Sequence, residues 1–267
     1  MIRVAIAGAA GRMGKTILKL AALDSDFQIT AALEHSENPA VGQDIGPLLG
    51  QEPMGVLITT DAQEAAKEAD VLIDFTHPSA AEFHLNAVLK HGAGYVLGTT
   101  GLDKKLAARL QAAAKKIPIV QSPNMSVGVN LLFKLAELAG SVLDENYDIE
   151  ISEIHHRMKK DAPSGTAMKL LEILAAVRKK NLKKDVVYGR VGETGVRPKG
   201  KIGVFALRGG DVVGDHTLSF LGDGERIELI HRATSREAFA QGAVLAAKFL
   251  AKRKHGLYNM SQVLGIA

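Results

Sequence analysis

The feature that most constrains this fold is a glycine-rich turn set between a short apolar run and an amphipathic stretch. Residues 2–7 are rich in β-branched side chains and predict a strand, and residues 12–23 have the apolar spacing of a helix. A second apolar run over residues 27–33 completes a strand–helix–strand unit of the usual size. The beginning of the chain is therefore expected to form part of an α/β fold.

The alternation of strand and helix continues to residue 121. Strands are predicted at residues 55–59, 71–75, 95–97 and 117–121, and helices at residues 63–69, 79–91 and 104–116. Strands that are apolar throughout and alternate with helices indicate a parallel sheet covered on both faces. We therefore predict a Rossmann-like α/β domain with a doubly wound parallel sheet.

After residue 126 the pattern changes to α+β. Helices are predicted at 129–143 and 165–180, and strands at 147–154, 186–191, 203–207, 212–220 and 226–233. An alanine-rich helix over 235–254 and a tail over 257–266 are expected to pack back on the first domain. We predict one domain of residues 1–126 plus 235–267, and a smaller second domain of residues 127–234.

Composition excludes several functional classes. The 267-residue chain contains no Cys, which rules out disulfides, thiolate nucleophiles and Cys-based zinc sites. A formal charge of +4 and the absence of Trp argue against a nucleic-acid partner. The longest uncharged stretch, 117–133, contains two prolines and two asparagines, and Arg3 interrupts the apolar start of the chain. We expect a cytoplasmic protein with no membrane partner.

The glycine-rich turn is positioned to bind a dinucleotide. At the start of a helix, unpaired amides and the positive end of the helix dipole attract a pyrophosphate. The predicted contacts are Gly8, Ala9, Ala10, Gly11, Arg12 and Met13. Position 10 is Ala, so the spacing is GxxGxxG rather than GxGxxG, and the prediction depends on the position of the turn between strand and helix. A tight turn that only packs the helix on the sheet is the alternative.

An acidic residue at the end of the second strand supports the same cofactor. Glu34 stands where a carboxylate accepts hydrogen bonds from the adenosine ribose hydroxyls, although a solvated strand end is the alternative. His35 follows, where an arginine would pair with the 2′-phosphate of NADP, and neutral histidine is a poorer partner for an anion. We expect NADH to be accepted and leave the preference between NADH and NADPH open.

Two further loops follow predicted strands, at residues 74–78 and 98–101. The carboxyl ends of parallel strands are where ligands bind in such sheets, so amides and hydroxyls there are candidates for the nicotinamide end of the cofactor. Ordinary turn chemistry of Gly, Thr and Pro explains the same residues equally well.

The most distinctive segment is residues 153–166, Glu-Ile-His-His-Arg-Met-Lys-Lys-Asp-Ala-Pro-Ser-Gly-Thr. An alternating strand ends in two histidines, passes through three cations and enters a helix near Gly165 and Thr166. Amides at a helix start beside a cationic cluster predict a carboxylate site, and a dicarboxylate would use both parts.

Proton transfer is the second chemistry that this segment suggests. A histidine can donate a proton near neutral pH, and a cation four residues later can hold substrate or share the transfer. A solvated basic turn before a capped helix is the alternative. A histidine metal site is disfavoured, because adjacent strand residues point to opposite faces and no carboxylate pattern completes a coordination shell.

With these residues assembled, the chain resembles the 4-hydroxy-tetrahydrodipicolinate reductase (dihydrodipicolinate reductase) family of lysine and diaminopimelate biosynthesis, essentially from end to end. The resemblance is carried by residues 4–14, 74–76, 98–101, 122–130, 155–166 and 209–217. Among these, His-His-x-x-Lys-x-Asp-Ala-Pro-Ser-Gly-Thr is highly specific. The chain departs from many relatives at Ala10, which is expected to be tolerated if its φ is negative, and at His35, where NADPH-competent relatives often carry Arg.

The resemblance implies an NAD(P)H-dependent oxidoreductase that transfers hydride to a cyclic imine dicarboxylate, without a metal. The first domain would bind the cofactor, and the second, with an open mixed sheet, would bind substrate and assemble a homotetramer. His155 would be the proton donor and Lys159 a second donor or charge stabiliser. The substrate carboxylates would contact His156, Gly165 and Thr166. The cofactor would contact Gly8 to Met13, Glu34, Gly98, Thr99, Thr100, Ser122, Pro123, Asn124 and Met125.

Two other functions are compatible with the residues alone. One is a two-domain dehydrogenase of an aldehyde or an amino acid, which would turn over such compounds and ignore a planar pyridine dicarboxylate. The other is a non-catalytic sensor, which would bind the dinucleotide without any hydride transfer.

Overall fold

The computed structural model describes residues 1–266 and divides the chain into two compact units. Unit 1 comprises Met1–Val127 together with the segment that begins at Arg236, and unit 2 is Gly128–Ser235. Val127 and Ser235 therefore each fall on the other side of the boundaries expected from the sequence. No helix within residues 1–266 is both long enough and apolar enough to cross a membrane.

Unit 1 is built on a seven-stranded sheet in which every neighbouring pair is parallel. Elements are numbered along the whole chain. The strands are β1 (Ile2–Ala7), β2 (Phe27–Leu33), β3 (Ile58–Thr59), β4 (Val71–Asp74), β5 (Gly94–Leu97), β6 (Pro118–Gln121) and β12 (Gly256–Tyr258). The helices are α1 (Arg12–Leu23), α2 (Ile45–Leu48), α3 (Ala62–Glu68), α4 (Pro78–His91), α5 (Lys104–Ala113), α8 (Glu237–Leu250) and α9 (Met260–Val263). The strand order is β12-β6-β5-β4-β1-β2-β3.

The buried strand β1 shows why this sheet needs helices on both faces. Val4 and Ile6 join an apolar cluster with residues of α1 and α8, whereas Ala5 and Ala7 join a second cluster with residues of α3, α4 and α5. Successive strand residues point to opposite faces, so each cluster covers one face of the sheet. The prediction of a doubly wound α/β domain is confirmed.

Several predicted boundaries in unit 1 are wrong. β3 contains two residues rather than the predicted 55–59, and α8 is shorter than 235–254. The short α2 had no prediction, and the tail, expected only to pack on the domain, adds β12 parallel to β6 and then α9. Strands of two or three residues are too short to show a periodic pattern, so these elements depend on tertiary pairing.

Unit 2 is a mixed five-stranded sheet with the order β11-β10-β7-β9-β8. The elements are α6 (Val127–Val142), β7 (Asp148–His155), α7 (Gly165–Val177), β8 (Val186–Val187), β9 (Ile202–Arg208), β10 (Gly214–Leu221) and β11 (Arg226–Ala233). β10 is antiparallel to β7 and β11, whereas β9 is parallel to β7 and β8. Apolar residues of α6 and α7 pack with alternate residues of β7, β9 and β10 to form the core. The predicted mixed sheet is confirmed.

Several predicted boundaries in unit 2 differ from the structure. The strand expected over 186–191 is limited to the two residues of β8, α7 ends at Val177 rather than near 180, and β10 begins at Gly214 rather than 212. Directly after β8 the chain no longer forms backbone hydrogen bonds of the sheet. It is held instead by the side chains of Arg190 and Arg197, which both bind the carboxylate of Glu150. The strand-like pattern of residues 186–191 alone could not reveal this change.

Candidate active site

The predicted ligand loops of unit 1 follow strands at one edge of the parallel sheet. The segments after β1, β2, β4, β5 and β6 share that edge because these strands run in the same direction. β1 stands between β2 and β4, so the strand order reverses there. In open α/β sheets the crevice at such a switch point is the usual position of a ligand.

The glycine-rich turn begins at Gly8, whose φ of 75° favours glycine. The amides of Gly8 and Ala9 both donate to the carbonyl oxygen of Leu33, at 2.9 and 3.1 Å, which ties the turn to β2. A Cβ on Gly14 would lie 2.0 Å from the carbonyl oxygen of Gly8, so a larger residue would push α1 away from β1. Ala10 does not have a positive φ, so alanine is accommodated there.

The start of α1 leaves the positive end of its dipole uncompensated by its own side chains. Gly11 precedes the helix and forms no side-chain cap, and the first turn, which includes Arg12 and Met13, contains no acidic residue. Negative charge near a helix N-terminus is stabilised by the dipole and by the unpaired amides. This end of α1 suits a bound anion.

Glu34 follows β2 and binds the same turn. Its Oε1 accepts a hydrogen bond from the amide of Ala10 at 2.9 Å, and its Oε2 accepts one from the amide of His35 at 3.3 Å. The structure therefore brings two predicted cofactor contacts, Glu34 and Ala10, into direct contact. One further consequence is that part of the hydrogen-bonding capacity of Glu34 is used within the protein.

A cavity of about 750 Å³ lies beside the turn within unit 1. Its volume is in the range of sites that hold small-molecule ligands. The lining residues are Gly8, Leu33, Glu34, His35, Ser36, Thr60, Thr76, His77, Ser79, Ala80, Phe83 and His84. Sequence reasoning did not propose Ser36, Thr60, Ser79 or Phe83 as site residues, because no motif marks them.

The loops after β5 and β6 adjoin a smaller cavity of about 350 Å³, whose lining includes Thr99, Thr100 and Pro123. The hydroxyl of Thr99 donates to the carbonyl oxygen of Thr76 at 3.0 Å. A Cβ on Gly98 would lie 2.3 Å from the ring of Phe75, which explains the glycine. The two predicted loops after β4 and β5 are therefore in contact.

The remaining predicted cofactor residues lie deeper. The hydroxyl of Ser122 donates to the carbonyl oxygen of Asn124 at 2.9 Å, and Ser122 is buried. Met125 belongs to the apolar core, and a Cβ on Gly242 of α8 would lie 1.7 Å from the carbonyl oxygen of Met125. These contacts fix the segment after β6 against α8.

Asp74, at the end of β4, is completely buried beneath this edge. It accepts hydrogen bonds from the amide and hydroxyl of Thr76 at 2.8 and 2.6 Å and from the hydroxyl of Tyr95 at 2.6 Å, and it lies 2.7 Å from Nδ1 of His84. Burial alone would raise the pKa of Asp74, but the hydrogen bond and charge of His84 and the hydroxyl donors outweigh it, so the pKa is lowered. This network fixes the loop that contains Thr76.

In unit 2, β7 carries Glu153 and His155 on the face that is buried against the helices, after Ile149 and Ile151. Nδ1 of His155 lies 2.5 Å from Oε2 of Glu153. Arg208 of β9 donates to both oxygens of Glu153, at 2.8 and 3.0 Å. The proposed proton donor therefore has a buried, ionised partner.

The basic segment ends at the start of α7. Ser164 caps the helix by accepting a hydrogen bond from the amide of Ala167 at 3.2 Å, and its own amide donates to Oε1 of Glu153 at 3.0 Å. Gly165 begins the helix and Thr166 follows it; a Cβ on Gly165 would meet nothing within 4 Å. Open space thus adjoins the first turn of α7.

The other two predicted residues lie on the same segment. The amide of His156 donates to the carbonyl oxygen of Val212 at 2.7 Å, which holds the segment beside the start of β10. Nζ of Lys159 forms an ion pair with Asp161 at 2.9 Å. Lys159 is therefore partly neutralised in the free protein, and its carboxylate partner is exposed.

The electrostatics of this cluster keep His155 neutral. Burial lowers its pKa, Glu153 opposes that change, and the charges of Lys159 and Arg208 lower it further, so the net pKa is below the usual value. Burial also lowers the pKa of His216 on β10 to about 4, with a further contribution from His155. The carboxyl of Glu153 has a lowered pKa, because the hydrogen bonds from Arg208, His155 and Ser164 outweigh its burial.

Sequence reasoning missed three members of this cluster, namely Glu153, Arg208 and His216. Strand pairing aligns Arg208 with His155 and His216 with Glu153. A signal was present, because Glu153 occupies an alternating position that is otherwise apolar, and such a carboxylate requires a buried partner. The sequence alone did not identify the partner.

The fold and these sites define a class, the two-domain oxidoreductases with a Rossmann-like nucleotide-binding fold. Family comparison then identifies the member of the class. Residues 2–125 match the model of the dihydrodipicolinate reductase N-terminus, and residues 128–264 match that of the C-terminus. The chain belongs to the dihydrodipicolinate reductase family, whose members are pyridine nucleotide-dependent reductases.

Relatives match the chain along its whole length. A protein from Thiobacillus denitrificans named 4-hydroxy-tetrahydrodipicolinate reductase is 52% identical over 265 residues, which cover 99% of each chain. Another of that name from Syntrophotalea carbinolica is 47% identical over 266 residues, which cover 100% of each. The resemblance drawn from the sequence is confirmed.

Solved structures share the fold at lower identity. A dipicolinate-bound dihydrodipicolinate reductase from Paenisporosarcina has a TM-score of 0.78 and 24% identity, covering 98% of this chain and 99% of that one. An amine dehydrogenase from Mycobacterium smegmatis has a TM-score of 0.62 and 15% identity, with coverage of 97% and 95%. The architecture is thus common to dehydrogenases with different substrates, and the fold alone does not choose among them.

Proposed function

We propose that this protein reduces 4-hydroxy-tetrahydrodipicolinate, or its dehydrated form, to tetrahydrodipicolinate with NADH or NADPH, in the diaminopimelate and lysine pathway. The observation that carries the proposal is the combination of a buried His155–Glu153 pair with the start of α7 in a member of this reductase family. This combination offers a proton donor and a carboxylate site on one segment of unit 2.

The residues of unit 1 fit a pyridine dinucleotide. The close approach of Gly14 to Gly8, the absence of an acidic residue from the first turn of α1 and the adjoining cavity are features that suit a pyrophosphate-containing ligand. When bound, the reduced nicotinamide supplies the hydride. Gly8 to Met13 would hold the pyrophosphate and Glu34 the ribose, with Gly98 to Thr100 and Ser122 to Met125 along the remaining part of the cofactor.

His35 bears on the choice between NADH and NADPH. Glu34 and His35 line the same cavity, so a ribose 2′-hydroxyl would meet a carboxylate, and a 2′-phosphate would meet an imidazole rather than a guanidinium. We expect NADH to be used. The ratio of activity with the two coenzymes tests this directly.

The substrate dicarboxylate would be held by the amides of Gly165 and Thr166, by His156 and by the cationic segment. Open space beside Gly165 and the capped start of α7 support this assignment, because a helix N-terminus binds carboxylates through its amides and dipole. The incoming anion would compete with Asp161 for Lys159. Substrate binding would therefore release a cation for the reaction.

His155 would donate the proton, with Lys159 as a second donor or charge stabiliser. Hydride addition to a conjugated imine leaves an electron pair on the substrate, and a proton from a nearby acid neutralises it. The pKa of His155 is lowered in the free protein. A bound dianion favours the charged imidazolium and raises that pKa, so the proton becomes available when the substrate is present.

The family resemblance also supports a homotetramer assembled through the sheet of unit 2, in the cytoplasm, with residues 1–126 plus 235–267 binding the cofactor and residues 127–234 the substrate. Light scattering of the purified protein tests the oligomeric state. A monomer would contradict the assembly proposal.

The reaction is tested by following the oxidation of NADH and NADPH in parallel. Pyruvate, aspartate semialdehyde and the preceding synthase are supplied to generate the labile substrate. Oxidation that depends on the synthase is the expected result. No oxidation by a folded protein that still binds NADH would favour another substrate or the non-catalytic sensor.

The role of His155 is tested by His155→Gln, which we expect to lower kcat by about 10²–10⁴-fold while NADH binding is retained. His91→Gln is the matched control, because His91 is exposed at the end of α4 and is not among the predicted contacts. Full activity of His155→Gln would remove His155 from the mechanism.

A further inference from the structure

Glu153 is a carboxylate in a position where the fold otherwise places apolar residues. Its side chain is completely buried, and Ile149 and Ile151 precede it on the same face of β7. An ionised carboxylate at such a position is costly unless it is fully hydrogen-bonded and paired with a cation. Its presence therefore calls for a function or for a complete set of partners.

The set of partners is complete. Oε2 lies 2.5 Å from Nδ1 of His155 and accepts from Nη1 of Arg208 at 2.8 Å. Oε1 accepts from Nη2 of Arg208 at 3.0 Å and from the amide of Ser164 at 3.0 Å. The bidentate pair with Arg208 fixes the plane of the carboxylate, and Arg208 is itself held by the carbonyl oxygen of Asp161 at 2.6 Å. One side chain thus joins β7, β9 and the start of α7.

We propose that Glu153, clamped by Arg208, is a positioning residue that holds the imidazole of His155 and the first turn of α7 in the geometry needed for proton donation to a bound dicarboxylate. The proposal rests on the function proposed above. It assigns to Glu153 and Arg208 an action through their neighbours, without contact with the substrate.

The orientation of His155 follows from this arrangement. Because Nδ1 faces an ionised carboxylate, it carries the hydrogen of the neutral imidazole, and Nε2 has no hydrogen-bond partner within residues 1–266. Nε2 is therefore the nitrogen that can exchange a proton with a ligand. A Cβ on Gly214 would lie 3.0 Å from Nε2, so the glycine keeps the space beside this atom.

The groups that face His155 define the sign of each electrostatic effect. Glu153 raises the pKa of His155, whereas Lys159 and Arg208 lower it. The ring of His216 lies edge-on to that of His155 with 5.2 Å between centroids, and a pKa of about 4 leaves His216 neutral. Removing Glu153 and removing Arg208 should therefore move the pKa of His155 in opposite directions.

The bond from Ser164 extends the effect to the carboxylate site. Ser164 is the N-cap residue of α7, and its amide is held by the same carboxylate that holds His155. Loss of Glu153 would release both the proton donor and the helix start. We therefore expect changes in kcat and in substrate KM together, whereas a defect confined to His155 would change kcat alone.

The test compares Glu153→Gln, Glu153→Asp and Arg208→Gln with Glu150→Gln, using the full chain in the coupled assay. Glu150 lies on the same strand but on its other face, paired with Arg190 and Arg197, which makes it a matched control for loss of a carboxylate. Glu153→Gln should lower kcat by about 10²-fold or more and weaken binding of pyridine-2,6-dicarboxylate. Glu153→Asp should recover part of this loss.

The pH dependence of kcat/KM provides the readout that a merely structural role would not give. A proton donor loses activity as pH rises through its pKa, so the basic limb should move to lower pH in Glu153→Gln and to higher pH in Arg208→Gln. Glu150→Gln should leave the limb in place. If His155→Gln is inactive but the basic limbs of Glu153→Gln and Arg208→Gln do not move, or move in the same direction, the positioning role is wrong. The proposed role of His155 as proton donor would then still stand.

Two outcomes separate this proposal from the function on which it rests. If His155→Gln keeps full activity, the proposed proton donor fails and the positioning role fails with it. If Glu153→Gln does not fold, Glu153→Asp and Arg208→Gln still test the positioning role of Glu153. NADH binding by each variant reports whether unit 1 is intact. Wild-type kinetics in both of those variants would contradict the proposal.

Discussion

Each unit contains a buried carboxylate that holds Nδ1 of a histidine, but the two pairs have different surroundings. Asp74 in unit 1 meets His84 at 2.7 Å, and its other partners are hydroxyls and an amide. Glu153 in unit 2 meets His155 and a bidentate arginine, with Lys159 close enough to affect the histidine. The hydroxyl and amide donors around the Asp74–His84 pair suit an anchor for a loop, whereas Arg208 and Lys159 beside the Glu153–His155 pair suit a site that receives an anion.

The largest expected effect tests the anchoring role of Asp74. Asp74→Ala leaves His84 and the buried hydroxyl of Tyr95 without their acceptor, so the free energy of unfolding should fall by about 3–5 kcal/mol. Urea unfolding measures the loss. Asp70→Ala is the control, because Asp70 forms an exposed ion pair with Arg3 and should cost less than about 1 kcal/mol. Equal losses in the two variants would refute the anchoring role.

The second test measures how the free energy of unfolding depends on pH, because the histidine cluster of unit 2 should lose stability in acid. His216 has its pKa lowered to about 4 in the folded protein, below the usual unfolded value of about 6.5. Between these values the unfolded state binds more protons, so stability is lost as pH falls from about 6.5 to 4, by an amount of order 2–3 kcal/mol.

The free energy of unfolding of His216→Asn should therefore change less between about pH 6.5 and 4 than that of the wild-type protein. This expectation holds whatever the stability of the variant at neutral pH. Urea unfolding at several pH values gives the two slopes. A slope as steep as that of the wild-type protein would show that another group is responsible.

The smallest effect is expected from a substitution that removes one hydrogen-bond donor to Asp74 and leaves the Asp74–His84 pair in place. Tyr95→Phe deletes the hydroxyl that donates to Asp74 at 2.6 Å, and we expect a loss of about 1–2 kcal/mol. The pKa of Tyr95 is raised far above its usual value by burial and by Asp74, so this loss should not change between pH 6 and 9. A loss that varies across this pH range would indicate that Tyr95 titrates.

The two units also differ in how much of their structure the sequence predicted. In unit 1 the apolar runs and the glycine-rich turn predicted six of the seven strands and the longer helices, because continuous apolar strands have few alternative folds. In unit 2 the segment from His155 to Thr166 indicated a candidate site through a resemblance. Glu153 was visible two residues before that segment, but its partners Arg208 and His216 come from strands whose register no local pattern specifies.

The last strand of the first sheet, β12, and the helix α8 are synthesised after unit 2. β12 pairs with β6, and six residues of α8 belong to the apolar cluster that covers one face of the first sheet. Both elements follow unit 2 in the chain. During synthesis the ribosome therefore releases all of unit 2 before the first sheet can acquire its last strand and the helix that shields it. Until then the part of that face that α8 covers presents apolar side chains, and this is the stage at which a chaperone would be of most use.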